Sequence, residues 1–431
     1  MIPIVKTSLT ALICIIVNSF QGYAQFSLSG EIRPRSEYRH GYKTLADQDQ
    51  DAAFFIDQRT RVNLMYKSDA YKIKFTLQDV RTWGSQPQLV TNGGALTSIH
   101  EAWGEVNIGQ KFAFKLGRQE IIQDDHRMFG NVGWLQQARS HDAGILKFMD
   151  STFTAHLGLA FNQDQPKLEN TIYTVPNSYK TFQYLWMHKD WGQFKGSFLF
   201  LNNGLQVISS TDTRTNFSQT IGGRLEYKKN NLTTNVNFYY QTGTDGDTLD
   251  TDINAWLFGP EILYKLNNQF TVGIGAELMS GNSQVNPSLE NQAFNPFYGT
   301  NHKFNGFMDY FYVGNHIGSV GLFDYILILK FKEGKFSSGA DIHFFFSADD
   351  ILDQEELINS GNIRALGSRL GTELDITFGW AFSGGVNLKA GYSQMFATES
   401  LVALKGGDQD AVSNWGWMML ILKPQFIKGE I

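Results

Sequence analysis

The sequence predicts an all-β fold: a transmembrane antiparallel up-and-down β-barrel of about 18 strands, with short periplasmic turns and long extracellular loops. Three observations predict it. Apolar and polar residues alternate with period two over most of the chain. Short and long connections alternate without a break. The composition excludes other ways of building a chain of 431 residues.

Taken in order, the chain opens with MIPIVKTSLTALICIIVNSFQGYAQ. Lys6 supplies a positive start, and Leu9 to Val17 form an apolar run too short to span a bilayer as a helix. Gly22-Tyr23-Ala24 places small residues before a cleavage point, so residues 1–24 are expected to be a Sec signal peptide. Residues 25–431 then form one outer-membrane barrel domain. Cys14, the single cysteine, falls in the signal, so the exported chain has neither disulfides nor thiol chemistry.

Strand segments begin near 26, 55, 71, 97, 112, 139, 152, 180, 194, 216, 232, 253, 270, 319, 335, 366, 384 and 413. In the third, Tyr71, Ile73, Phe75 and Leu77 interleave with Lys72, Lys74, Thr76 and Gln78. In the eleventh, Leu232, Thr234, Val236 and Phe238 interleave with Thr233, Asn235 and Asn237. In the sixteenth, Leu370, Thr372, Leu374 and Ile376 interleave with Arg369, Gly371, Glu373 and Asp375. Each has one apolar and one polar face, as a strand between lipid and water requires. Most are roughly 9–13 residues, long enough to cross a bilayer at a tilt. Alternation is poor in the sixth, eighth, fourteenth and last segments.

The turns KSDA (67–70), GQK (109–111), KKNN (228–231), NN (267–268) and KEG (332–334) are tight and polar. The long connections are 39–54, 81–96, 119–138, 162–179, 204–215, 242–252, 281–318, 347–365 and 397–412. A soluble sandwich has no reason to keep that parity, whereas an outer-membrane barrel does. Lipid cannot satisfy an open sheet edge, so the last segment (414–424) must pair with the first (26–38). Trp415, Trp417, Tyr66, Tyr227, Tyr264 and Phe331 lie near segment ends and are expected in the interfacial aromatic girdles.

Aromatic residues are 14% of the chain and glycines number 42, against nine prolines, as suits a large β-structure. Mean hydropathy is −0.25, and no segment after the signal approaches 18 consecutive apolar residues, which excludes a helical membrane protein. The charge of −6, or −7 once Lys6 is removed, argues against a nucleic-acid partner.

Alternation assigns the inner face. Charge facing lipid near the midplane costs about 2–4 kcal/mol, which turns Glu31, Arg33, Arg35 and Glu37 of the first strand inward. The same holds for Asp57, Arg59, Arg61 and Asn63 of the second and Glu101, Glu105 and Asn107 of the fourth. Arg224 and Glu226 follow from the tenth, and Arg369, Glu373 and Asp375 from the sixteenth. Nine of 13 arginines lie between 33 and 139, so one lumen wall is rich in guanidinium groups. They can pair with neighbouring carboxylates or with the carboxylates of an anionic solute. The stretch 117–144 is polar and punctuated by glycine. Its loop, 119–138, is expected to fold inward as a constriction carrying Asp124, Asp125, His126 and Arg127, with Arg118 and Arg139 at its roots.

EIRPRSEYR (31–39), QDVRTWG (78–84), EAWGE (101–105), the LGRQEII to DDHRMFG stretch (116–130) and HKFNGFMDYF (302–311) resemble the alginate export family of outer-membrane β-barrels. The resemblance covers most of the exported chain. It implies an 18-stranded barrel whose Arg-rich pore passes an anionic polysaccharide such as alginate.

Other chemistry is weakly represented. Asp245, Asp247, Asp250 and Asp252 in TDGDTLDTD form a candidate calcium loop, although their spacing does not match an EF-hand. His126, His141, His156 and His343 show no metal spacing, and no nucleophile elbow, P-loop or dinucleotide fingerprint is present. The sequence therefore points away from an enzyme and toward a channel without cofactors. Its expected partners are outer-membrane lipid, an anionic glycan and periplasmic export components. A general diffusion porin and an adhesion barrel are the alternatives.

Overall fold

The structure is a computed structural model and describes residues 24–89, 96–209 and 212–430. The signal peptide expected at 1–24 lies outside the described residues apart from Ala24. Strands β1 (Gln25–His40), β2 (Ala53–Lys67), β3 (Tyr71–Thr82), β4 (Thr97–Ile108), β5 (Phe112–Gln119) and β6 (His141–Met149) form the first third of the wall. They are followed by β7 (Phe153–Phe161), β8 (Thr181–Asp190), β9 (Phe194–Ile208), β10 (Thr213–Lys229), β11 (Leu232–Thr244) and β12 (Asp252–Lys265). The wall continues with β13 (Phe270–Met279), β14 (Leu322–Glu333), β15 (Phe336–Phe346), β16 (Arg369–Ala381), β17 (Val386–Ala397), β18 (Ser413–Leu422) and β19 (Gln425–Glu430).

Each strand pairs antiparallel with the next, and β1 pairs with both β18 and β19, which seals the sheet. β18 and β19 are two halves of one stave, interrupted at Lys423-Pro424. The proline has no N–H for the ladder, and Gly30 N donates to its carbonyl (2.9 Å) at the break. The barrel therefore has 18 staves, and the expected pairing of the last segment with the first holds. Every strand start lies within three residues of its expected position. The connection expected at 204–215 shrinks to 209–212, because β9 and β10 stay paired up to Ile208 and Thr213.

The outer surface carries exposed apolar side chains along each stave, among them Ile73, Leu77, Phe114, Leu116, Leu157 and Leu159. Aromatic pairs cluster at the short-turn end: Tyr66 with Tyr71 (5.6 Å between ring centroids), Phe194 with Tyr227 (4.6 Å) and Phe270 with Phe331 (4.8 Å). Trp415 and Trp417 depart from the expected girdle. Both point inward, and Trp415 is fully buried with Nε1 donating to Glu37 (3.0 Å). Their parity on β18 matches that of the inward Glu37 and Arg39 across the β1 register.

The apolar core lies inside the barrel, where loop side chains pack on inward strand residues such as Phe182, Leu199, Leu257 and Phe345. Met128 and Phe129 come from the 120–140 connection; Phe294, Met308, Tyr310, Phe311 and Tyr312 come from 280–321. Two short helices, α1 (Gln354–Ser360) and α2 (Glu399–Lys405), sit in external connections. Among the described residues no helix is long and apolar enough to cross a membrane.

Candidate functional site: two charged walls and two inner loops

Arg33 of β1 and Arg59 of β2 are direct cross-strand neighbours. Like charges so placed repel, and the local chemistry offsets this. Arg59 donates to Glu31 Oε1 through Nε (2.8 Å) and Nη2 (2.6 Å). Arg33 donates to Gln136 Oε1 (2.8 Å) and to the main-chain carbonyls of Gly133 (2.7 Å), Trp134 (3.1 Å) and Leu135 (3.2 Å). Arg35 donates to the Trp134 carbonyl (2.7 Å) and to Glu37 (2.8 Å), and its guanidinium lies 4.1 Å from the Trp134 ring centre. Asp57 accepts from Thr82 (2.6 Å), and Arg61 donates to Gln78 (2.7 Å). Next along the wall, Glu101 pairs with Lys74, and Glu105 pairs with Lys72 (2.7 Å) and Lys147 (2.6 Å). These residues lie on the inner face of the sheet. Arg33, Arg35 and Arg59 are buried, however, and their donors go to the 120–140 loop and to Glu31 and Glu37 rather than to open lumen.

A second wall, formed by β13–β16, is acidic. Glu277 of β13 stands directly across from Asp324 of β14, and His343 of β15 across from Glu373 of β16. Asn305 bridges the first pair, donating to Glu277 (2.7 Å) and Asp324 (3.4 Å). His343 Nδ1 lies 2.9 Å from Asp324 Oδ2, and its Nε2 lies 3.6 Å from Asp375. The 280–321 loop turns its amides to the remaining carboxylates: Phe307 N donates to Asp375 (3.2 Å) and Met308 N to Glu373 (2.8 Å). Gly306 sits here at φ +81°, and a Cβ on it would lie 2.7 Å from the Glu373 carboxyl. Only glycine allows that approach.

The 120–140 loop crosses between these walls. Asp124 accepts from Trp186 Nε1 (3.1 Å) and Ser197 (2.8 Å), and Asp125 from Arg224 (2.6 Å) and Asn237 (2.7 Å). Arg127, fully buried, pairs with Glu277 (2.8 Å), and its guanidinium lies 4.6 Å from the Phe304 ring centre. Arg139 donates to the Gly299 carbonyl (3.0 Å). Phe129 and Tyr298 form a parallel bridge that ties the two inner loops together. Burial pushes the Asp124 carboxyl above its ordinary range against the hydrogen bonds from Trp186 and Ser197. Burial, aided by Lys303, draws His126 below its ordinary value. For Glu120 burial acts upward, but hydrogen bonds from His100 and Asn131 and the charges of His100 and Arg61 hold the carboxyl at about 2.

Two expectations are corrected. Arg118 is not at a lumen root. It shares the outward parity of Phe114 and Leu116 and pairs with the exposed Asp142 (2.9 Å). Arg369 is not on the inner wall, because a bulge between Phe345 and Phe346 shifts the register by one residue. It now stands beside Phe346, whose ring packs on the outward Tyr325, and Leu370 takes the buried position. Such a slip exchanges faces. The candidate calcium carboxylates do not converge, and among the described residues no group of three or more acidic or histidine side chains is arranged to hold a metal. Asp250 accepts from Arg214 and Asn216, Asp247 from Thr251, and Asp245 from Asn291.

Open space remains on the short-turn side of the inner loops. A cavity of about 330 Å³ lies against β10–β15, lined by Arg224, Asn235, Lys303, Phe307, Lys330 and Asp341 among others. It adjoins a second, at Asp125 and Arg224, that reaches Lys195 and Glu226. A third, of about 410 Å³, shares Lys303 and Phe307 with the first and is lined by Trp134, His302 and Trp417. On the external side, another cavity is lined by Arg139, His141 and Tyr179.

The sequence matches the alginate export family over residues 24–412. The chain belongs to the alginate export family. Within this family member the fold is also that of known porins. It is similar to Acinetobacter baumannii OccAB4 (TM-score 0.63, 13% identity, covering 94% of this chain and 99% of that one). It is likewise similar to Pseudomonas aeruginosa OccK11 (TM-score 0.60, 11% identity, 94% and 98% covered) and to Pseudomonas aeruginosa OpdK with vanillate (0.58, 8%, 93% and 99%). No curated protein sequence matches it. This alginate export family barrel is a bacterial outer-membrane channel, not an enzyme.

In this channel, sequence reasoning missed Glu277, Asp324, Asn305, Lys303 and Trp134. The first two sit on strands with broadly apolar inner faces, where a lone carboxylate is the available signal. Asn305 and Lys303 fall inside HKFNGFMDYF, a stretch noticed for its resemblance and not for its chemistry.

Proposed function

We propose that this channel passes an anionic polysaccharide or oligosaccharide of the alginate type, delivered by periplasmic export components. The carrying observation is how lumen charge is allotted. Glu31, Glu37, Glu101, Glu105, Glu277 and Asp125 each have a cationic partner from the protein. Lys303, where two cavities meet, donates instead to a main-chain carbonyl, that of Asp125 (2.8 Å). An ammonium so placed can replace part of the hydration of a passing carboxylate and still release it.

A general diffusion porin is the second reading, favoured by the acidic side chains of β13–β16. Reversal potentials of purified protein in planar bilayers under a salt gradient separate the two. Anion preference, with current block by alginate oligomers at micromolar to millimolar concentration, supports the first. Cation preference without block overturns it.

A further inference from the structure

The cavities on the short-turn side differ in chemistry on either side of Lys303. The larger is aromatic. The ring of His302 stacks between Trp134 (centroids 4.7 Å apart, 18° between planes) and Phe307 (5.6 Å, 29°). Trp417 closes the corner, edge to face with Trp134 (4.7 Å, 71°). The half-buried indole of Trp417 rests on Gly391 of β17, where a methyl group would overlap it. Glycine at that position therefore lets the indole lie against the wall and leaves room beside it.

The smaller cavity holds buried polar groups among apolar ones. Asn235 and Asn305 are both more than nine-tenths buried and line it. Asn235 spends its amide N–H on Glu261 (2.8 Å) and Asn305 spends its own on Glu277 (2.7 Å). Their amide oxygens, and Asp341 Oδ1, have no hydrogen-bond partner among the described residues. A buried acceptor without a donor is destabilising, and a ligand rich in hydroxyl groups removes that cost.

We propose that these two cavities are adjoining subsites for an acidic oligosaccharide, one sugar ring against Trp417 and Phe307 and the next against Asn235 and Asp341, with Lys303 between them as the counter-ion of a carboxylate. The assignment rests on the anionic-glycan reading above and adds the site. A sugar acid has the matching parts: C–H faces that pack on aromatic rings, hydroxyls that donate to the free oxygens, and one negative charge per ring. Cavities of about 410 and 330 Å³ fall in the range of small-molecule sites.

The test is block of single-channel current in planar bilayers, with alginate hexamers or neutral maltohexaose added to the periplasmic side of the full chain. Trp417→Leu should raise the half-blocking concentration of both glycans about tenfold, the size expected for losing an aromatic contact. Lys303→Gln should raise it for the acidic glycan alone. Gly391→Ala, which displaces the indole without removing it, should act like Trp417→Leu. Channel opening by each variant in the same bilayer reports that it is folded. Acidic-glycan block that stays unchanged in Trp417→Leu and Lys303→Gln overturns this site while the anionic-glycan reading stands. A conducting parent channel that no glycan blocks overturns both.

Discussion

The β1–β2 wall and the β13–β16 wall carry opposite charge on the inner face of one barrel, separated by β17 and β18, and each meets a loop of opposite polarity. Arginines 33 and 35 receive the carbonyls of Gly133, Trp134 and Leu135. Carboxylates 373 and 375 receive the amides of Met308 and Phe307. A guanidinium has five donors and no acceptor, and a carboxylate has only acceptors. Each wall therefore selects which edge of a loop backbone can lie against it. Charge in the mid-lumen is spent largely on holding the loops, and among the described residues the cations that line the cavity without a carboxylate partner are Lys303 and Lys330.

The largest break in this comparison should come at Arg127, which joins the acidic wall to the crossing loop. Arg127→Ala leaves Glu277 buried without its cation and should destabilise the loop attachment by about 3–5 kcal/mol. Hydrogen exchange of residues 120–140 should lose protection, and single-channel conductance should rise. Replacing both partners by leucine should restore most of the protection, because no orphan charge remains.

A smaller effect is expected on the basic wall. Arg33→Met leaves the Gly133, Trp134 and Leu135 carbonyls without this donor, at about 1–3 kcal/mol. Exchange should increase at 133–137 while 124–127 stays protected, since Arg224 and Glu277 still hold that end.

The pH response of the loop is smaller again. The stabilisation from Glu120 is present above its ordinary value of 4.5 and is lost as pH falls toward about 2. His126 is held neutral, so its contribution is full above 6.5 and declines below it. Asp124, shifted upward, acts in the opposite sense and favours the loop in acid. Two of the three favour release on acidification, so protection of residues 120–131, corrected for intrinsic exchange, should fall between pH 6.5 and pH 3. Glu120→Gln should flatten the lower part of that profile. The smallest effect belongs to the outer loops: calcium should leave conductance and thermal unfolding unchanged, because Asp245, Asp247 and Asp250 are engaged by donors of the protein.

Strand positions, turn parity and closure were legible because each depends on local pattern: period two along a stave, and Asn, Gly or Lys at a tight turn. The inward set was legible for Arg33, Arg59, Glu101 and Arg224 by the same alternation. It failed at Arg369, where one bulged residue reverses parity. It failed again at Trp415 and Trp417, where residue type suggested the membrane interface and parity on β18 decided otherwise.

The sequence by itself determined a sealed barrel with charges inside, because lipid admits no unpaired sheet edge and no charge at its midplane. Only the tertiary structure decided which of those charges remain available. That depends on two loops, 120–140 and 280–321, whose backbone groups reach side chains more than sixty residues away in sequence. Contacts of that range leave no periodic trace in the chain.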